Sequence, residues 1–163
     1  MKIRVPVTLI TFFISMPLSA TFLEMSRAQD LGISNIVFCS SNPKGYMAYE
    51  EQPDATFKPG DVVWIYMNLD HIKSNPNPDG TKEMWIKLHL KVTSPKGDVL
   101  LDEDLYNEHK NFPETSNMDE MFLRVNLNTV PEMAEGRYTA ELTLRDELAK
   151  KEISASSIFT LKP

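Results

Sequence analysis

The sequence predicts an all-β protein, a two-layer sandwich of about seven antiparallel strands behind a short N-terminal leader. Three observations carry that prediction. Met84, Ile86, Leu88, Leu90 and Val92 fall on one parity, with Trp85, Lys87, His89, Lys91 and Thr93 on the other. Alternate side chains of a strand point to opposite faces, so this spacing buries one face and wets the other, whereas a helix would scatter the apolar set around its circumference. The same alternation returns in Met121, Leu123, Val125, Leu127 and in Tyr138, Ala140, Leu142, Leu144. Turn-forming residues separate the segments at the spacing of a β domain.

The leader comes first. Lys2 and Arg4 precede an apolar run from Val5 to Met16, and no acidic residue occurs before Glu24. This is the pattern of a secretory signal peptide spanning residues 1–28. Cleavage after Ala28 is favoured, because Ser26 and Ala28 put small residues at both recognition positions; cleavage after Ala20 is the alternative. An uncleaved membrane anchor is the rival reading, weakened by Pro6 and Pro17. The expected location is therefore secreted or periplasmic. Residues 29–163 are long enough for one domain with its own core. The whole chain carries a formal charge of −6. Cleavage makes it more negative, since Lys2, Arg4 and Arg27 leave against Glu24. That balance argues against nucleic acid and against an anionic membrane surface as partners. No later stretch is long and apolar enough to insert in a membrane.

Ile33 to Cys39 reads as the first strand. Cys39, the single cysteine, has no partner for an intramolecular disulfide and reads as a small buried hydrophobe. Tyr46 to Tyr49 suggests brief edge pairing. Phe57-Lys58-Pro59-Gly60-Asp61 gives a type II turn, with Pro presetting φ and Gly supplying positive φ. Val62 to Leu69 is apolar on both parities, so it belongs at the centre of a sheet with its second face covered. The strand from about Glu83 to Thr93 follows, then a turn at Ser94-Pro95-Lys96-Gly97 and a short return through Val99-Leu100-Leu101. Asp102 to Asp119 is polar and lacks periodicity; it reads as a crossover between sheets with room for a helical turn near Asp104 to Lys110. Met121 to Leu127, Arg137 to Arg145 and Ile153 to Leu161 complete the strands.

The stretch Pro131…Glu135-Gly136-Arg137-Tyr138 through Arg145-Asp146, closed by Phe159-Thr160-Leu161, resembles bacterial immunoglobulin-like and fibronectin type III-like domains of exported proteins. Phe57-x-Pro59-Gly60-Asp61 before a Val-rich strand adds to the likeness. The resemblance implies an immunoglobulin-like β-sandwich and a corner role for Tyr138, its hydroxyl tied to nearby backbone. The chain departs from antibody domains in lacking a cysteine pair. Such a fold hosts unrelated activities, so it implies no particular one.

Catalytic signatures are missing from the sequence: it has no HExxH, CxxC, Gly-x-Ser-x-Gly or Gly-rich phosphate loop. The expectation is a non-catalytic module with no required cofactor. His71, His89 and His109 are not at metal-ligand spacing. Calcium is the one ion worth weighing, through loop residues Asp70, Asn77, Asp79, Asp102, Asp104, Asp119 and Glu120, although none forms an EF-hand loop. The candidate partner-binding residues are Trp85 and His89, on the wet parity of their strand, with Trp64 and Tyr66. They point to a protein or glycan partner bound through a sheet face or edge; a calcium-dependent carbohydrate-binding module is the alternative.

Overall fold

The structure is a computed structural model that describes residues 30–163; the expected leader and its cleavage positions lie outside the described residues. The chain is all-β. Its strands among the described residues are β1 (Gly32–Cys39), β2 (Thr56–Phe57), β3 (Val62–Asp70), β4 (Asn75–Pro76), β5 (Thr81–Thr93), β6 (Val99–Pro113), β7 (Phe122–Asn128), β8 (Gly136–Asp146) and β9 (Lys151–Leu161), with a 3-10 turn at Met118–Glu120. Among the described residues no helix is long and apolar enough to cross a membrane.

The strands form two sheets. The smaller has the order β1-β3-β7, and the larger runs β2-β9-β8-β5, with β6 on the far side of β5 and β4 beyond the end of β8. All long pairings are antiparallel, and only β2 runs parallel, beside the end of β9. Between the sheets lies one apolar core. Val63, Ile65, Met67 and Leu69 of β3 meet Met84, Ile86, Leu88, Leu90 and Val92 of β5 and Tyr138, Ala140, Leu142 and Leu144 of β8 in it. The two-residue period therefore reports burial directly: each inward set is one parity of one strand. Phe38, Phe57 and Phe159 close one side, with ring centroids 5.6–6.5 Å apart.

The turns form as the sequence chemistry dictates. Asp61 N–H donates to Lys58 O (3.0 Å), and Gly60 sits at φ 98°, the conformation a type II turn demands at its third position. Gly97 N–H donates to Ser94 O at 3.0 Å with Gly97 at φ 90°. The Tyr138 hydroxyl donates to Ala134 O at 2.6 Å, tying the start of β8 to the corner before it. The central strand β3 is covered on both faces, as its double apolar parity requires. Residues 40–52 lie over its outer face, where Tyr49 and Phe122 pack on the Tyr66 ring at 4.5 and 5.6 Å. Cys39 is 0 % exposed.

Two local expectations are corrected. Tyr46 to Tyr49 is not an edge strand but a tight turn closed by a Gly45–Ala48 bridge. The segment read as a crossover with a helical turn is instead most of β6, which pairs with β5 from Thr93↔Val99 to Thr81↔Pro113. Its periodicity is absent for a physical reason. β6 lies at a sheet edge and is wet on both faces over most of its length, so no parity had to be apolar. Two register shifts, beside Leu105 and Leu100, break the alternation further.

Candidate functional site

The outer face of the larger sheet carries the wet parity of β5. Trp85, Lys87, His89 and Lys91 stand in a row there, flanked by the outward residues of β6 on one side and those of β8 and β9 on the other. Cross-strand partners on one face lie close enough to bond, and the register decides which meet. Lys87 pairs with Arg145, His89 with Thr143 and with Asp104, and Arg145 with Glu152. Lys87, His89, Asp104, Thr143, Arg145 and Glu152 thus line one open depression of about 320 Å³.

His89 is its centre. Asp102 Oδ1 stands 2.7 Å from Nε2 and Asp104 Oδ1 2.8 Å from Nδ1. An ionised carboxylate only accepts, so satisfying both bonds needs a proton on each ring nitrogen, which is the imidazolium. Hydrogen bonds to Asp104 and then to Asp102 raise the His89 pKa, outweighing an opposing desolvation. The arrangement depends on the bulge at Leu105: Tyr106 opposes Leu88 and Asp104 opposes His89. Without that extra residue Leu105 would face His89 and the carboxylates would turn to the other side.

Around this clamp the face is cross-linked. Arg145 donates to Glu152 Oε2 from Nε (2.9 Å) and Nη2 (2.6 Å), Lys87 Nζ lies 2.7 Å from Glu147 Oε1, and the Thr143 and Ser154 hydroxyls meet at 2.7 Å. Trp85 donates from Nε1 to Asn107 Oδ1 at 2.9 Å. His109 stacks on its indole at 5.2 Å, and Lys87 Nζ sits 5.4 Å from the ring centroid. His109 in turn reaches Glu83 at 3.1 Å. Bonds from Asn75 and then His109 hold the Glu83 carboxyl below its usual range.

The structure brings Trp85 and His89 onto one face and sends Trp64 and Tyr66 to the opposite side of the molecule. Tyr66 is 0 % exposed. Its hydroxyl accepts from Met47 N–H (2.9 Å) and donates to Asn68 Oδ1 (2.6 Å), so it works as packing under the residue 40–52 cover. Trp64 is half-buried beside Ser40, Gln52 and Thr56. Sequence reasoning missed Lys87, Asp104, Arg145 and Glu152 as companions of His89. The outward parity of Lys87 and Arg145 was visible, but Asp104 and Glu152 fell outside the strands as read, and the register that gathers the four was not visible.

The acidic residues weighed for calcium are dispersed. Asp79 accepts from the Thr81 hydroxyl and backbone, and those bonds lower its pKa. Asp102 and Asp104 approach His89 from different ring nitrogens. Among the described residues no three His, Cys, Asp or Glu side chains converge in a way that could hold a metal ion.

A second concavity, of about 390 Å³, opens between the edges of the two sheets. Leu100, Leu101 and Leu105 of β6 form one wall, Asn126 to Thr129 the other, with Met133 at the mouth and Val92 and Phe159 at the floor.

No protein-family model matches the chain, and no curated protein matches it in sequence. Among solved structures it is similar to a Pseudomonas fluorescens alkylpurine DNA glycosylase, AlkC, bound to DNA containing an abasic site analog. That match has 9 % identity and a TM-score of 0.44, over 82 % of this chain and 30 % of that one. It is also similar to a family 123 glycoside hydrolase from Clostridium perfringens, at 11 % identity and a TM-score of 0.48, over 82 % of this chain and 27 % of that one. The chain spans less than a third of the length of either, and likeness of this degree assigns neither an activity nor a ligand.

Proposed function

We propose that this chain is an exported, non-catalytic binding module that recognises a protein or glycan partner through the outer face of its larger sheet. One observation carries the reading: four charged side chains and a threonine from four adjacent strands converge around His89 in a single open depression. Cations and carboxylates alternate across it, as suits a polar partner of mixed charge. The indole of Trp85 already has a stacked neighbour in His109, so Trp85 anchors the rim rather than offering a bare platform. The leader pattern in residues 1–28 supports export. The order β1-β3-β7 facing β6-β5-β8-β9, with the Tyr138–Ala134 bond, supports the immunoglobulin-like, fibronectin type III-like description of the sandwich.

The test is binding by the full chain to a glycan array and to the extracytoplasmic protein fraction of its own cells, beside His89→Ala and Arg145→Glu variants. A specific ligand that both variants lose places recognition on this face, and its binding weakens as salt rises. A ligand retained equally by wild type and both variants excludes the face.

A further inference from the structure

The two long edges of the larger sheet are built differently. β6 carries Asp102, Glu103, Asp104, Glu108 and Lys110, ends on Pro113 and contains two register shifts. Those are the features by which an edge strand refuses further pairing. β9 lacks them after Lys151 and Glu152: from Ile153 to Leu161 it holds no charged residue and no proline, and its register with β8 is unbroken. Along a paired strand, successive backbone groups point to alternate sides. Thr160 N–H donates away from β8, to Ala55 O at 2.8 Å, so Glu152, Ser154, Ser156 and Ile158 turn their N–H and C=O groups the same way. β2 covers only Thr160 and Leu161. Among the described residues no backbone partner meets the other four. All four are exposed, Ile158 at 43 %.

We propose that this edge pairs with the same edge of a second copy of the chain, antiparallel across a twofold axis at Ala155. Register and charge select that occupant. With Ala155 of both copies opposed, Ser154 meets the partner's Ser156 and Glu152 the partner's Ile158, each pair exchanging both main-chain bonds. The ladder then ends where β2 begins. Moving the axis to Ser156 would set Glu152 against Thr160, whose N–H already bonds to Ala55. No like charges are opposed: Glu152 faces an isoleucine, and the Lys150 end of each β9 points toward the Asp54 turn of the other copy, next to Ala55. Directly opposed residues share a face, so the two outer faces join into one surface. Each His89 depression, walled on this side by Glu152, gains the partner's Ile158 at its rim. The pairing is independent of what the depression binds.

The test is the mass of the full chain by light scattering over a dilution series, where a dimer of twice 18.6 kDa is expected. Ser156→Pro removes a free-edge N–H without touching the β8 ladder. It weakens the dimer by about tenfold or more, while the monomer keeps its β-sheet circular dichroism. Ile158→Glu, at an exposed side chain, sets a carboxylate opposite Glu152 and weakens the dimer to a similar degree; Ile158→Lys does not. Non-hydrogen-bonded pairs bring Cα atoms to about 4.5 Å, within disulfide reach. Ala155→Cys therefore links the two copies under mild oxidation, and Ser154→Cys, displaced from the axis, links them about tenfold more slowly or less. Dimer formation also slows amide exchange at Ser154, Ser156 and Ile158. A monomer at every concentration, indifference to Ser156→Pro, or Ser154→Cys linking as fast as Ala155→Cys overturns the proposal. So does a dimer dissolved by Leu100→Lys, because the contact then lies at β6.

Discussion

Two carboxylates that the fold sets on either side of the His89 ring favour its charged form and raise its pKa. Because its pKa is raised in the folded state, the clamp stabilises fully below the unfolded value and the contribution disappears as pH climbs through the folded one. Titration of the His89 ring by NMR is expected to give a midpoint above that of an ordinary histidine. Asp104→Asn lowers the midpoint more than Asp102→Asn, following the order of the two hydrogen bonds. A midpoint unmoved by either variant rules the clamp out in solution. The same titration would govern binding at the proposed face, since deprotonation removes a positive charge from the middle of the depression.

At the level of elements, two connections are fastened by one buried carboxylate. Asp146, 0 % exposed at the end of β8, accepts from Leu148 N–H (3.0 Å) and Ala149 N–H (2.9 Å) in the turn to β9, and from Lys73 N–H (2.7 Å) after β3. Hydrogen bonds to a charged acceptor contribute about 1.5–3 kcal/mol, and stranding buried donors costs more than the bond itself. Asp146→Ala is therefore expected to lower unfolding free energy by about 3 kcal/mol in a urea titration. A change within about 0.5 kcal/mol would show that water replaces the carboxylate. Asp146 was legible only as the last residue of an alternating strand; its reach to Lys73 depends on how β3 and β8 stack. β5, β8 and β9 could be read from parity because one face of each had to be apolar. β6 could not, being an edge strand whose bulges exchange its faces. The His89 site was legible as two isolated residues, Trp85 and His89, because its other members meet only once β6 is correctly paired.

At the scale of the whole molecule one core lies between the sheets, and Cys39 sits outside it, on the outer parity of β1 beneath the residue 40–52 cover. Burial, with Glu51 adding to it, pushes the Cys39 thiol up to about 11, so little thiolate exists at neutral pH even before access is considered. Reaction with a disulfide reagent then requires opening of the fold around Cys39. The native chain is expected to label slower than the urea-unfolded chain by a factor on the order of 10³ or more. The rate should climb with sub-denaturing urea along the global unfolding curve. Fast labelling without urea would mean that the residue 40–52 cover or β1 opens independently of the core.

Arg124 has a part that outlasts any single contact. Its backbone oxygen receives the Tyr106 hydroxyl, and its guanidinium grips Pro43 O in the cover over Tyr66. One residue thereby pins three separate layers of the chain at a single point. Were β6 to spread from β7, it would have to break that pin or turn about it, as shears turn about their rivet.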